Sequence, residues 1–440
     1  MTTHGAPRQQ RLHAIDAVWL GLEHGDAPVA IGSASRCEGP VPRIGEVRAL
    51  VASRLDRMPR LGQVAVDART WADVDVDLRV HVRREHARGV TVDEAVAALM
   101  PRRFEPGRPL WSLHVVDGLA DADWALVWRL HHSIADGIGA VLLAGQVFDT
   151  APAGGTTLPE RVLELARARP PAPSGRRPGL RGTLHAAGAA LTALAAVPDA
   201  LASVTPAPNG LEGLTGALGP QRRWRSLELP LAEVKQVGRA HGGTVNDVVV
   251  TLVAGGWRRA LLEERGRLPE GAHVRCLLPV SLRPPGDDSA QNEVSALVAS
   301  LPVGLADPDA RLDRVVRHLG HLKASRGYLA VPAILGLVDR AVPPAVQSAA
   351  VGALGEAVAP MLVDTVATNV PGPAFPLWVL GRRVRSLHPV IPVAAHVRAT
   401  VGILSFDGTL DIGITAALPG GPDVDAMAAG MRADLQALLG

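Results

Sequence analysis

Apolar residues recur along this chain with two periods. Helical spacing runs through Ala14–Glu23, through Ile44–Arg57 (Val47, Leu50, Val51 and Leu55) and through Val90–Pro101, where Thr91 can cap the first turn. Strand-like runs lie at Pro28–Ser33, at Val76–Val82 with Leu78, Val80 and Val82 on one face, and at Leu110–Val116. Trp124–Leu130 is apolar almost throughout, which suits a strand buried on both faces. Ile138–Phe148 reads as a helix. The first part of the chain therefore alternates helices and strands, an α/β pattern.

The second part repeats the style. Arg225–Pro230 is strand-like and Leu231–Ala240 helical; Thr244 and Asp247 then form a capping box ahead of a long apolar helix reaching about Glu264. Val274–Leu282, Glu293–Val303 and Val363–Val370 read as strands, and Pro308–Ser325 and Leu329–Val342 as helices. Leu377–Arg385 is expected to complete a sheet with a hairpin, Ala399–Ser405 and Thr409–Thr415, turned at Phe406-Asp407-Gly408. Asp423–Leu439 closes the chain as a helix. Between the two parts, residues 151–222 are rich in Pro and Ala, with a possible helix at Leu158–Ala168. The expected domains are 1–150, a crossover linker at 151–222, and 223–440. Residues 1–12 are polar and are expected to be mobile.

One stretch carries chemistry. His131-His132-Ser133-Ile134-Ala135-Asp136-Gly137 follows the buried strand directly, so its histidines sit where a rigid element gives way to a loop. A neutral imidazole is the natural general base near pH 7, and Gly137 allows the backbone a tight turn. A single histidine is most simply a surface or satisfied core residue. Two adjacent histidines with Asp and Gly at these offsets arise by chance on the order of once in several hundred such chains. His132 and Asp136 are four apart, a metal-ligand spacing only on a helix; the strand before them and Gly137 after them argue for a loop, and no further ligand cluster is near. No metal is expected.

Composition narrows the picture. At 440 residues and 47% hydrophobic content the chain can fill two cores. A net charge of +2 gives no electrostatic case for nucleic acid. The basic residues are nearly all arginine, Lys235 and Lys323 being the only lysines. Two cysteines, Cys37 and Cys276, provide neither a disulfide framework nor a zinc motif, which suits a reducing cytosol. No secretory signal core or membrane span is read; the nearest apolar segment, Leu184–Val204, contains His185, Pro198 and Asp199. Beside it lie Arg167, Arg169, Arg176, Arg177 and Arg181. This region is either a solvated loop with a packing helix or a peripheral contact with an anionic membrane surface.

HHSIADG also matches the HHxxxDG signature of CoA-dependent acyltransferases and of condensation domains. Further stretches, in order, resemble motifs of one family: Leu12–Leu20 (LHAIDAVWL), Arg108–Trp111 (RPLW), Thr244–Val250 (TVNDVVV), Pro279–Arg283 (PVSLR) and Thr368–Pro373 (TNVPGP). Together they resemble the bacterial wax ester synthase/acyl-CoA:diacylglycerol acyltransferase family over about residues 12–438. One departure is Gln291-Asn292, where the family usually has Gly before Asn.

The resemblance implies an α/β fold of two chloramphenicol-acetyltransferase-like domains, mixed sheets flanked by helices, with a tunnel between the halves. It implies His132 as the general base that moves an acyl group from acyl-CoA to the hydroxyl of diacylglycerol or a long-chain alcohol, with acyl-CoA a substrate and no cofactor. It assigns His131 a supporting role and Asp136 a structural pairing with an arginine, for which Arg283 is the candidate. Gly137 completes the motif, and Asn246, Asn292 and Asn369 are candidates for lining the substrate path. The implied location is cytoplasmic, or peripheral at the inner membrane face or on lipid inclusions. Two alternatives stay open: an acyltransferase of this fold acting on a specialised metabolite or another lipid, and a non-catalytic lipid-binding relative.

Overall fold

Caps and turns set most element boundaries. The computed structural model describes residues 9–12, 14–21, 23, 28–67, 70–135, 137–158, 211–281, 294–324, 363–394 and 396–440. In chain order the first part holds β1 (Gln9–Arg11), α1 (Ala14–Gly21), β2 (Ala30–Cys37), α2 (Ile44–Ala52), β3 (Gln63–Asp67), β4 (Thr70–Asp73), the single turn α3 (Leu78–His81), β5 (Val82–His86), α4 (Val92–Leu99), β6 (Trp111–Asp117), β7 (Trp124–His131) and α5 (Gly137–Gly145). The second holds β8 (Gln221–Pro230), α6 (Leu231–Ala240), α7 (Val245–Arg265), β9 (Val274–Ser281), β10 (Val294–Leu301), α8 (Pro308–Ala324), β11 (Thr365–Val370), β12 (Leu377–Val379), β13 (Arg382–Val390), β14 (Ala399–Phe406), β15 (Thr409–Leu418) and α9 (Val424–Leu439).

Thr91 caps α4 in a reciprocal box with Glu94, and Thr244 caps α7 in the same way with Asp247. The two-residue turn between β14 and β15 has positive φ at both Asp407 and Gly408, the conformation that matches strand twist in a tight hairpin. The strand expected at Val76–Val82 begins only at Val82. Asp77 accepts from the Arg79 amide at 2.9 Å and caps a single helical turn instead. Gln9–Arg11 pairs with β4, so these polar residues are ordered by a backbone ladder that hydrophobic patterning cannot show. The predicted helix at Leu329–Val342, most of Leu158–Ala168 and the segment Leu184–Val204 lie outside the described residues.

Two six-stranded sheets organise the molecule, in the orders β12-β13-β2-β7-β6-β5 and β10-β9-β11-β14-β15-β8; a small sheet β1-β4-β3 stands apart. The expectation that Leu377–Arg385 joins the hairpin's sheet is corrected here. That segment is two strands, separated by a turn with positive φ at Leu380 and Gly381, and both belong to the first sheet. β13 runs antiparallel to β2, from Val384 opposite Cys37 to Val390 opposite Gly32. Its far end passes close over the second sheet, which is possible because glycines lie beneath it. A Cβ on Gly413 would stand 2.0 Å from the Pro389 carbonyl, and one on Gly402 3.1 Å from the Pro389 ring.

Polar contacts tie the sheets at the same joint. Asp93 on α4 accepts from the Ser226 amide at 3.1 Å and from its hydroxyl at 2.6 Å, while Arg36 on β2 reaches Asp93 at 3.2 Å and Asp121 at 2.6 Å. Buried His388 on β13 lies 3.4 Å from Glu228 on β8. Burial itself raises the pKa of Asp411, against the attraction of His388 and bonds from Leu387 and Thr409. The approach of β13 gives a direct test. Gly413→Ala should destabilise the protein by about 2 kcal/mol or more, as overpacking against backbone does. A thermal melt should then fall by several degrees; an unchanged midpoint would contradict the packing described.

Candidate active site

β7 is buried along its whole length, which explains its continuous apolar sequence. Trp124, Leu126, Trp128 and Leu130 enter one core with Trp71 and Trp111; Ala125 and Val127 enter another with Val92 and Val96 of α4. By the alternation of a strand, Arg129 and His131 continue the second face. The ladder delivers both histidines. His131 stands opposite Ala30 of β2 and its amide donates to the Leu110 carbonyl at 2.9 Å; the His132 amide donates to the Val29 carbonyl at 2.9 Å. The Ile134 amide returns to the His131 carbonyl at 2.9 Å, turning the chain into α5.

The two rings have different surroundings. His131 is fully buried. Its Nδ1 accepts from the Ser133 amide at 3.1 Å and lies 2.7 Å from the Ser133 hydroxyl. An amide can only donate, so Nδ1 carries the lone pair and Nε2 carries the proton. Nε2 lies 3.1 Å from Glu23 Oε2. Burial raises the Glu23 pKa, but the contact with His131 and the charges of Arg103 and Arg129 outweigh it and leave that carboxyl below its usual range. Phe104 meets the His131 ring edge-on at 6.3 Å, and Arg129 lies 4.7 Å over the same Phe104 ring. Arg129, buried and held by the Ser112 hydroxyl and the Met100 and Arg102 carbonyls, fixes the chain leaving α4.

His132 is half-buried and stacks on Trp19 of α1, with ring centroids 3.9 Å apart and planes 11° apart. Its Nδ1 is shut off from solvent. The group favouring a proton on this ring is its own backbone carbonyl, although the two do not form a regular hydrogen bond. Burial and the neighbouring His131 hold its pKa down to about 4. His132 is therefore a neutral imidazole at pH 7, the state a base requires.

Of the other expected residues, Asn369 and Asn246 are brought together: the Asn369 side-chain amide donates to Asn246 Oδ1 at 3.4 Å, joining the end of β11 to the first turn of α7. α5, which starts at Gly137, packs against β11, so the histidine loop and this pair are near neighbours through one strand. Asp136, Arg283 and Asn292 lie outside the described residues, and with them the expected pairing of Asp136 with Arg283. Among the described residues no three His, Cys, Asp or Glu side chains form a metal-binding group. Sequence reasoning missed Trp19 and Glu23. Trp19 lies inside the opening motif Leu12–Leu20 and Glu23 just after it, and no local pattern marks which loop they meet.

Comparison with known proteins decides the family. Residues 12–249 match the family model for the wax ester synthase/diacylglycerol acyltransferase catalytic domain, and residues 290–439 match that for the WS/DGAT C-terminal domain. The chain belongs to this family. A Mycobacterium tuberculosis (strain ATCC 25618 / H37Rv) protein named "Probable diacyglycerol O-acyltransferase tgs1" is 35% identical over 429 residues, covering 92% of this chain and 90% of that protein. Among solved structures, a wax ester synthase/diacylglycerol acyltransferase from Marinobacter aquaeolei VT8 superposes with a TM-score of 0.67 at 22% identity, covering 98% of each chain. The starter condensation domain of rhizomide synthetase RzmA, solved with C8-CoA and Leu-SNAC, follows the same fold at a TM-score of 0.57 and 16% identity, covering 98% of this chain and 94% of that one. These likenesses establish the WS/DGAT fold of two sheet-rich halves flanked by helices.

The depressed pKa of His132 has a consequence for stability. The unfolded chain binds a proton at this residue near pH 6.5, whereas the folded chain does so only near 4. Stability is thus lost as pH falls from about 6.5 towards 4, by up to about 1.4 kcal/mol per pH unit from this group. In urea melts at pH 7 and pH 4.5, His132→Gln should lose less stability than wild type across that interval. Equal losses would show that the imidazole is not held neutral.

Proposed function

We propose that this WS/DGAT protein is an acyl-CoA-dependent O-acyltransferase that moves a fatty acyl group to the hydroxyl of diacylglycerol or a long-chain alcohol, with His132 as general base. Membership of the family across both parts of the chain supports the reaction class. The observation that carries the residue assignment is the neutral imidazole of His132, fixed at the end of β7 and stacked on Trp19.

Nδ1 is shut off from solvent, so Nε2 is the nitrogen left to accept a proton. It takes the acceptor's hydroxyl proton as that oxygen attacks the thioester carbonyl. The tetrahedral adduct collapses with loss of the CoA thiolate, and the proton passes from Nε2 to the sulfur. Ester and free CoA result, and the imidazole returns neutral. A thioester is already activated, so no covalent enzyme intermediate is needed. General-base help of this kind contributes about 10²–10⁴ in rate; holding the reactants in one passage contributes further. His131, locked by Ser133 and Glu23, sets the backbone that aims His132. Asn246 and Asn369 are proposed to line the acceptor's path, and Asp136 to brace the loop.

The proposed acceptors are lipids. Among the described residues no helix is long and apolar enough to cross a membrane. The arginines at 167–181 supply an electrostatic basis for peripheral contact with an anionic lipid surface. The test is release of CoA thiol from palmitoyl-CoA with diacylglycerol, hexadecanol or no acceptor. We expect acceptor-dependent release that falls at least about 100-fold in His132→Ala. Release without any acceptor dependence, or equal rates in wild type and variant, would contradict the proposal.

A further inference from the structure

We propose that Trp19 is a positioning residue for His132, its indole face fixing the imidazole plane and stabilising that ring when it becomes an imidazolium. The inference rests on His132 being the base. Nearly parallel rings with centroids 3.9 Å apart are in van der Waals contact, which leaves the imidazole little freedom to tilt.

The helix that presents Trp19 is short, yet it is anchored. Asp16, one turn before Trp19 on α1, is buried at 4% exposure. Its charge supports the guanidinium of Arg60, which burial otherwise disfavours, and Arg60 lies 4.8 Å over the buried Trp71 ring. Two residues beyond the end of α1, Glu23 holds His131. One N-terminal segment thus supplies a partner to each histidine: an aromatic face to His132 and a carboxylate to its neighbour.

The chemistry distinguishes the two partners. A neutral imidazole gains mainly dispersion from an indole face. An imidazolium gains a cation–π attraction as well, strongest with Trp and increased by desolvation. His132 carries that charge only while the acceptor's proton is in transit, so the added attraction acts in the transition state and not in the resting enzyme. Among the described residues, the titratable groups around it are His131 on β7 and, beyond His131, Glu23, which in turn faces Arg103 and Arg129.

The full chain would be assayed as wild type, Trp19→Leu, Trp19→Phe and His132→Ala, with kcat, KM for palmitoyl-CoA, the pH profile of kcat/KM and a thermal melt for each. Trp19→Leu should lower kcat roughly 3- to 30-fold with KM within about twofold, and should move the acid limb of the profile to lower pH. Trp19→Phe should restore most of both. An unchanged kcat and acid limb in Trp19→Leu would overturn the inference. So would an acid limb displaced upwards towards 6.5, which would make Trp19 a shield against water only, or a loss of rate matched by a lower melting point and not recovered by Phe. Wild-type rates in His132→Ala would instead defeat the base assignment itself, so the two failures are separable.

Discussion

The ladder between β2 and β7 is the constraint on which the site depends. Eight consecutive residue pairs, Ala30 opposite His131 through Cys37 opposite Trp124, lock the register of a strand buried on both sides. A slip by one residue would turn Arg129 and His131 into the tryptophan core and Trp128 and Leu130 out of it. The amide of His132 continues the ladder to Val29, so the last rungs are also the mount of the two imidazoles. β13 lies on the other edge of β2, and it binds the first sheet to the second through Pro389 and His388. The strand that carries the histidines and the joint between the halves are therefore separated by a single strand.

Burial acts on the two rings in opposite chemical senses. His131 is fully buried, with Nδ1 bonded to Ser133 and Nε2 3.1 Å from Glu23. His132 is half-buried, with Nδ1 shut off from solvent and aromatic cover from Trp19, and so remains neutral and able to accept a proton. Adjacent residues of the same type take different roles because one points inward from a strand and the other begins the turn.

Much of this was legible in the sequence. The strand before HHSIADG, the cap at Thr91, the capping box at Thr244 and the hairpin at Asp407-Gly408 all rest on local rules, and local rules hold where a few neighbouring residues determine the energy. The exchange of β12 and β13 into the first sheet was not legible, because it depends on glycines at 402 and 413 meeting a strand from elsewhere in the chain. The one-turn α3 escaped for a smaller reason: an Asx cap at Asp77 outweighed an alternating pattern. At the site, the motif marks His132 as the candidate base, whereas nothing local singles out Trp19 and Glu23 as partners of the two histidines. Their significance comes from where α1 lies against β7, more than a hundred residues later.

In the proposed mechanism His132 is a base that never carries the acyl group. Rapid mixing of the protein with excess palmitoyl-CoA and no acceptor, followed by acid quench and intact mass measurement, tests that claim most directly. Direct transfer predicts no burst of free CoA and an unmodified chain, with ester appearing only when an acceptor hydroxyl is supplied. A stoichiometric burst of CoA with a palmitoyl adduct on His132 would contradict it and make this residue a nucleophile.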